Sequence, residues 1–322
     1  MTSAAVSSGW EALAADPLPW LLEDERPNLV ARVLVDLIGR PPTSPAVVRA
    51  RGGANAAEPV ASLLAPLQPD GTWVPAAGGG WGAEEPAARI VAAAQLGADP
   101  GDPRLQAAVT AWLDGERTDG PVAVGAGCGE PGAWRTARAV EALCALGWAR
   151  HLGIQEALAW LEEAAPSSSD GGWSDDRGGE CAATAAAVLS ALASSDGPRR
   201  TRLWERALAS ANRLLAAGGV DDIWAVPRFD RSDVLELLWC AARAGAPWNP
   251  EWRSAIEAVQ DGQDGTARWS ARGDPPLEVL LTGCHERTGE PSGWLTLEAV
   301  GVLLRYAPDA RLQRRFPERP GS

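Results

Sequence analysis

The stretch "SSSDGGWS" at residues 167–174 joins an acid, two glycines and a tryptophan just past a helix-like run. It returns along the chain as "LQPDGTW" (67–73), "RTDGPV" (117–122) and "GQDGTARW" (262–269), with a weaker copy "GGVDDIW" at 218–224. The aspartates Asp70, Asp119, Asp170, Asp221 and Asp264 are spaced by 49, 51, 51 and 43 residues. A turn signal with a period near fifty residues marks a repeat architecture, and it decides how everything between the turns is read.

Between successive turns the sequence reads helix, short loop, helix. "RPNLVARVLVDLIG" (26–39) and "SPAVVRARGGANAAEPVASLLAPL" (44–67) make a first pair, and "EPSGWLTLEAVGVLLRYA" (290–307) opens the last. No stretch shows the period-2 alternation of strands. About six helical pairs and no sheet are expected. The first helix of each pair is rich in small residues, as in "AATAAAVLSALA" (182–193), which suits packing on several sides. The second is amphipathic, as in "RRTRLWERALASANRLLAAGG" (199–219), which suits one wet face. Two layers follow, small-residue helices inside and charged helices outside. Because an open solenoid needs capping repeats, the expected fold is all-α: a closed α/α barrel, or toroid, in which 1–322 form one domain and 1–25 a short capping segment.

In the turns, glycine supplies positive φ, aspartate caps, and tryptophan staples the loop. Gln68, Gly71 and Trp73 in the first turn, Gly171 and Trp173 in the third, and Gln263, Gly265 and Trp269 in the fifth carry a Gln-Gly-Trp pattern. This pattern resembles the turn motif of the squalene cyclase and protein prenyltransferase repeat superfamily, over nearly the whole chain. The resemblance implies an α/α toroid and, by analogy, a terpene-cyclase-like activity.

The chemical motifs of that superfamily are missing. The prenyltransferase zinc site needs Asp, a Cys two residues later and a distant His, yet neither Cys128 nor Cys284 has such an Asp, and only His151 and His285 occur. The Asp-x-Asp-Asp acid of proton-initiated terpene cyclases is also absent; "DRSD" (230–233) reads as a helix N-cap. Cys284-His285 with Cys240 resembles the zinc ligands of lanthionine cyclases, which leaves a zinc-dependent cyclase or transferase as one alternative.

Composition narrows the partners. A formal net charge of −13 argues against nucleic acid, and no apolar run reaches membrane-spanning length. The start of the chain lacks the pattern of a secretory signal. A cytoplasmic protein is the expectation, with its five cysteines as reduced, mostly buried thiols.

What remains is polar residues in helices that should be buried. "GEPGAWRTARAVEAL" (129–143) aligns with "GEPSGWLTLEAVGVL" (289–303), with Pro131 and Pro291 in the first helical turn. Trp134, Arg138 and Glu141 then share one helix face, as do Trp294 and Glu298. Arg32 with Asp36, Glu85 with Arg89, and Asp233 with Glu236 add further charges, the first two pairs as i,i+4 ion pairs. Buried charges must pair or face water, and a hollow lumen satisfies that demand. The expected function is a cyclase acting on a lipophilic, polyunsaturated terpenoid- or polyketide-like precursor by mild acid/base or pericyclic closure. Glu141, Glu298, Asp233, Glu236 and Arg138 are the candidate catalytic residues; Trp134, Trp294, Arg89, Trp81 and Trp239 would bind substrate. This reading calls for no metal or cofactor. A non-catalytic lipophilic-ligand binder is the second alternative.

Overall fold

A computed structural model of the chain describes residues 12–74, 85–116, 132–164, 173, 181–195, 200–218, 220, 224–228, 232–273 and 287–306. The described residues are mostly helical. Four short helices come first: α1 (Leu18–Leu22), α2 (Pro27–Arg32), α3 (Pro45–Ala54) and α4 (Val60–Leu64), with α2 running into a π-helical turn at Val33–Leu37. Then come α5 (Glu85–Gln95), α6 (Pro103–Glu116), α7 (Ala133–Ala145), α8 (Leu152–Ala164), α9 (Ala182–Ser194), α10 (Thr201–Ala217), α11 (Val234–Arg243), α12 (Arg253–Asp261) and α13 (Gly293–Tyr306).

The two kinds of helix occupy two layers. In α9 every residue from Ala183 to Ala191 is buried, because this helix packs on α7, α10 and α11 at once. In α10 the buried residues are Leu203, Ala207, Ser210, Ala211, Leu214 and Leu215, a single apolar stripe with Arg202, Arg206 and Arg213 off it. The odd-numbered helices pack in succession, α5 on α7, α7 on α9, α9 on α11 and α11 on α13. Each even-numbered helix from α6 to α12 packs on the odd-numbered helix before it. The segment 27–37 packs on α13, and Asn28 Nδ2 donates to the Leu96 carbonyl just past α5 at 2.5 Å.

The turns at Asp70 and Asp264 are structural, while Asp119, Asp170 and Asp221 lie outside the described residues. Asp70 Oδ1 accepts from the Thr72 N–H and hydroxyl, and Asp264 Oδ1 does the same for Thr266. Trp73, Trp173, Trp224 and Trp269 are all buried, and Trp269 Nε1 donates to the Val259 carbonyl at 2.6 Å. The turns are not copies of one another. Gly71 takes positive φ (85°), but in the fifth turn Ala267 does so (56°) rather than Gly265. The N-terminal segment is tied to this fifth turn: Gln263 Oε1 accepts from the Ala14 N–H, and Nε2 donates to the Ala12 carbonyl.

Two expectations need correction. A small antiparallel ribbon exists, β1 (Trp269–Ser270) against β2 (Pro291–Ser292); two residues a side are too few to register as alternation. Pro291 lies in that ribbon and not in the first helical turn, because Ser292 Oγ accepts from Leu295 N and caps α13 after the proline. Trp252 is fully buried and Trp204 Nε1 donates to the Ala244 carbonyl, so these outer-layer tryptophans point inward. Cys144, Cys181 and Cys240 are buried. No described helix is long and apolar enough to cross a membrane.

Candidate functional site

The charged residues of the inner helices meet at one place. Arg138, in the middle of α7, is fully buried and forms a two-pronged ion pair with Glu236 of α11, Nη1–Oε1 2.6 Å and Nη2–Oε2 3.0 Å. Its Nη1 also donates to Glu141 on the next turn of α7, at 2.9 Å. Such paired, planar geometry is what makes a buried guanidinium tolerable.

A second arginine enters from a loop. The Gln95 side chain at the end of α5 accepts from the Arg228 N–H at 2.6 Å and pins that loop to the inner layer. Arg228 Nε then donates to Asp233 Oδ2 at 2.8 Å, and Nη1 donates to Glu298 of α13 at 3.1 Å. Asp233 does two tasks, since its other oxygen accepts from the Glu236 N–H and caps α11 at 2.7 Å. Arg32 Nε pairs with Asp36 at 2.7 Å across the start of the π turn, as expected for an i,i+4 pair.

A cavity of about 70 Å³ lies inside this network. Arg32, Glu141, Arg228, Glu236, Arg243 and Glu298 supply its charged wall, with Gln95, Ser190, Cys240 and Trp239 between them. A wider recess of about 270 Å³ shares Trp239 and Arg243 with it and continues to Arg305, which is exposed. Trp239 lies against Gly301 of α13 so closely that a Cβ there would come within 2.1 Å of the ring.

The carboxyl groups differ in protonation. Burial pushes Glu298 up to about 7; Arg228 opposes the shift, and Asp233 and Glu236 add to it. Burial also raises Asp233, against the pull of Arg228. Burial would raise Glu236 too, but Arg138 and Arg228 together hold it below the ordinary carboxylate value. Burial pushes the Cys240 thiol well up, and Glu236 and Glu141 add to that, so it stays protonated. One wall therefore carries a carboxylate held ionised and a carboxyl group that titrates near neutrality, the separation acid/base chemistry uses.

The expected site residues that the structure describes sort into three groups. Glu141, Glu236, Glu298 and Trp239 line the cavity. Arg138 and Asp233 lie behind it, where they position Glu236, Glu141 and Arg228. Trp134, Trp294 and Arg89 line neither the cavity nor the recess: Trp134 lies under Arg135 (5.3 Å to the ring centroid), Trp294 is buried at the first turn of α13, and Arg89 Nη1 donates to the Leu63 carbonyl at 3.3 Å. Sharing a helix face does not mean sharing a depth. Trp294 sits a full turn, about 6 Å along the axis, from Glu298. Trp81, Cys284 and His285, and the side chain of Glu85, lie outside the described residues. No cluster of metal-ligating residues occurs among the described ones.

Sequence reasoning missed Arg228, Arg243 and Gln95. Arg228 lies in "VPRFD", outside any helical pattern, and its only local signal is Asp233 five residues on. Compared with protein-family models, curated proteins and solved structures, the chain gives no match.

Proposed function

We propose that the protein is an enzyme of the cyclase or isomerase class in which Glu298 transfers a proton to or from a substrate held in the inner chamber. The observation that carries this reading is the Glu298 carboxyl, on the cavity wall with a pKa of about 7 while Glu236 beside it is held ionised. A group titrating near neutral pH combines the right protonation state with sufficient driving force for proton transfer. A closed toroid is part of the proposal. It is supported by the succession of inner helices, by the packing of 27–37 on α13 and by the Asn28–Leu96 bond between α2 and the end of α5.

The walls favour one branch of the expected substrate class. A hydrocarbon chain gains its binding free energy from apolar surface, and six of the fifteen residues lining this cavity carry a guanidinium or carboxyl group. An oxygenated, polyketide-like precursor suits it better than an all-hydrocarbon terpenoid. Trp239 and the recess would hold the apolar remainder, with solvent access past Arg305. Arg138 and Asp233 act as positioning residues.

The test is conversion without mass change. Incubation with a panel of linear oxygenated polyenes and β-keto chains should give an isomeric, cyclised product by mass-resolved chromatography. Glu298→Gln should abolish it, and the wild-type rate should show an apparent pKa near 7. A Glu298→Gln enzyme with the wild-type rate ends this reading, while wild-type binding without conversion leaves a ligand-binding protein.

A further inference from the structure

Two buried polar atoms, on residues that line the chamber, lack an aligned partner among the described residues. Among the described residues, Arg228 Nη2 is buried with no acceptor, and Glu298 Oε2 has no aligned hydrogen bond although it lies 2.9 Å from Arg228 Nη1. Both residues line the cavity; Arg228 is 7% exposed, and the Glu298 side chain 12%. An unmade hydrogen bond on a buried guanidinium is rare in folded proteins and calls for an explanation. Both atoms neighbour Arg228 Nη1: Glu298 Oε2 lies 2.9 Å from it, and Nη2 is bonded to the same guanidinium carbon.

Charge narrows the ligand. The chamber and its backing residues hold four guanidinium groups (Arg32, Arg138, Arg228, Arg243) and four carboxylates besides Glu298 (Asp36, Glu141, Asp233, Glu236). With Glu298 protonated the two sets balance, so a neutral ligand fits better than an anion. Size narrows it again. One water needs roughly 10–15 Å³ of such space, so a cavity of about 70 Å³ takes a fragment of about five to seven heavy atoms.

We propose that the chamber binds a 1,3-dicarbonyl unit in its enol form, one oxygen accepting from Arg228 Nη2 and the other from the protonated carboxyl of Glu298. Two acceptors on alternate carbons match two adjacent donors, and a U-shaped enol keeps them close together. The inference rests on the acid/base reading of Glu298 and names the substrate class for that site. The groups facing Glu298 are Arg228 from the loop, Asp233 and Glu236 from α11 and Arg32 from α2, with Arg138 and Glu141 of α7 behind.

The probe is 2,4-pentanedione, titrated into the full-length chain from pH 5.5 to 8.5, followed by calorimetry and by the ultraviolet band of the enol. Wild type should bind with a strengthened enol band and lose about tenfold or more in affinity between pH 6 and 8.5, as Glu298 ionises. Glu298→Gln should fold normally and bind without that loss, since its amide donates at every pH. Arg228→Lys should bind more weakly throughout. Absence of binding, persistence of the affinity loss in Glu298→Gln, or equal binding of acetate at pH 6 would each overturn the proposal. Pentanedione binding without turnover of the precursor panel keeps this inference and removes catalysis; turnover without pentanedione binding does the reverse.

Discussion

Arg138 and Glu236 tie α7 to α11 past the intervening α9, through two parallel N–H···O bonds of 2.6 and 3.0 Å in a fully buried setting. A buried pair of this kind is a weak source of net stability but a large liability when halved. Arg138→Met should therefore cost about 3–5 kcal/mol, because Glu236 and Glu141 lose their shared counter-charge. Adding Glu236→Gln and Glu141→Gln should recover part of the loss. Urea denaturation reads both numbers. A single variant that costs under about 1 kcal/mol would mean that water reaches the pair and screens it.

The repeated glycines are inequivalent, and their variants should show it. A Cβ on Gly71 would lie 2.4 Å from the Ala108 backbone nitrogen in α6, at a φ of 85°. Gly265 has no atom within 4 Å of such a Cβ and no positive φ. Gly71→Ala should lower the melting temperature clearly, with a loss of about 1–3 kcal/mol typical of overpacking and strain. Gly265→Ala should be neutral within about 0.5 kcal/mol. Equal behaviour of the two would contradict the turn geometry.

The all-helical layout was legible because its signals are periodic. The Asp-Gly motif located the turns at Asp70 and Asp264, small-residue runs located α9, and charge periodicity located α10, all from neighbours in sequence. Asp233 as an N-cap was legible for the same reason. The chamber was half legible. Glu141 and Glu298 stood out as charges inside apolar helices, and burial alone forces such groups to pair. Arg228 was not legible, because its partners Asp233, Glu298 and Gln95 come from three different elements and only the last step of packing unites them. Trp134 and Trp294 misled because helical periodicity reports direction around an axis and is silent on position along it.

Trp239 lines both the inner cavity and the outer recess, and Gly301 lies against its ring. Gly301→Ala places a methyl group where Trp239 Cζ3 now lies, so the indole must turn toward one of the two spaces. The expected result is a fold that survives, with about 1–3 kcal/mol lost, and a shifted tryptophan fluorescence spectrum. Access to the chamber should change with it, read as altered on-rates for pentanedione at unchanged pH dependence. An unaltered on-rate would separate Trp239 from any gating of the route.

Glu298 also predicts how stability varies with pH. Its carboxyl goes from an ordinary 4.5 to about 7 on folding, so between those values the native chain holds more proton than the unfolded chain. Stability then falls as pH rises through this window, because the slope follows the difference in bound protons. The contribution is on the order of 3 kcal/mol from pH 4.5 to above 7, at 1.36 kcal/mol per pKa unit. Asp233, also raised, adds in the same direction from a lower starting pH. Glu236 and Asp36, both lowered, act in the opposite sense and only in more acidic solution, where they become protonated. Glu298→Gln removes the titrating group while keeping an acceptor for Arg228. Its urea midpoint should exceed that of wild type at pH 8 and lie close to it at pH 5. A midpoint difference that does not change between these two pH values would place the Glu298 carboxyl in water, and with it the basis for a proton-transfer site.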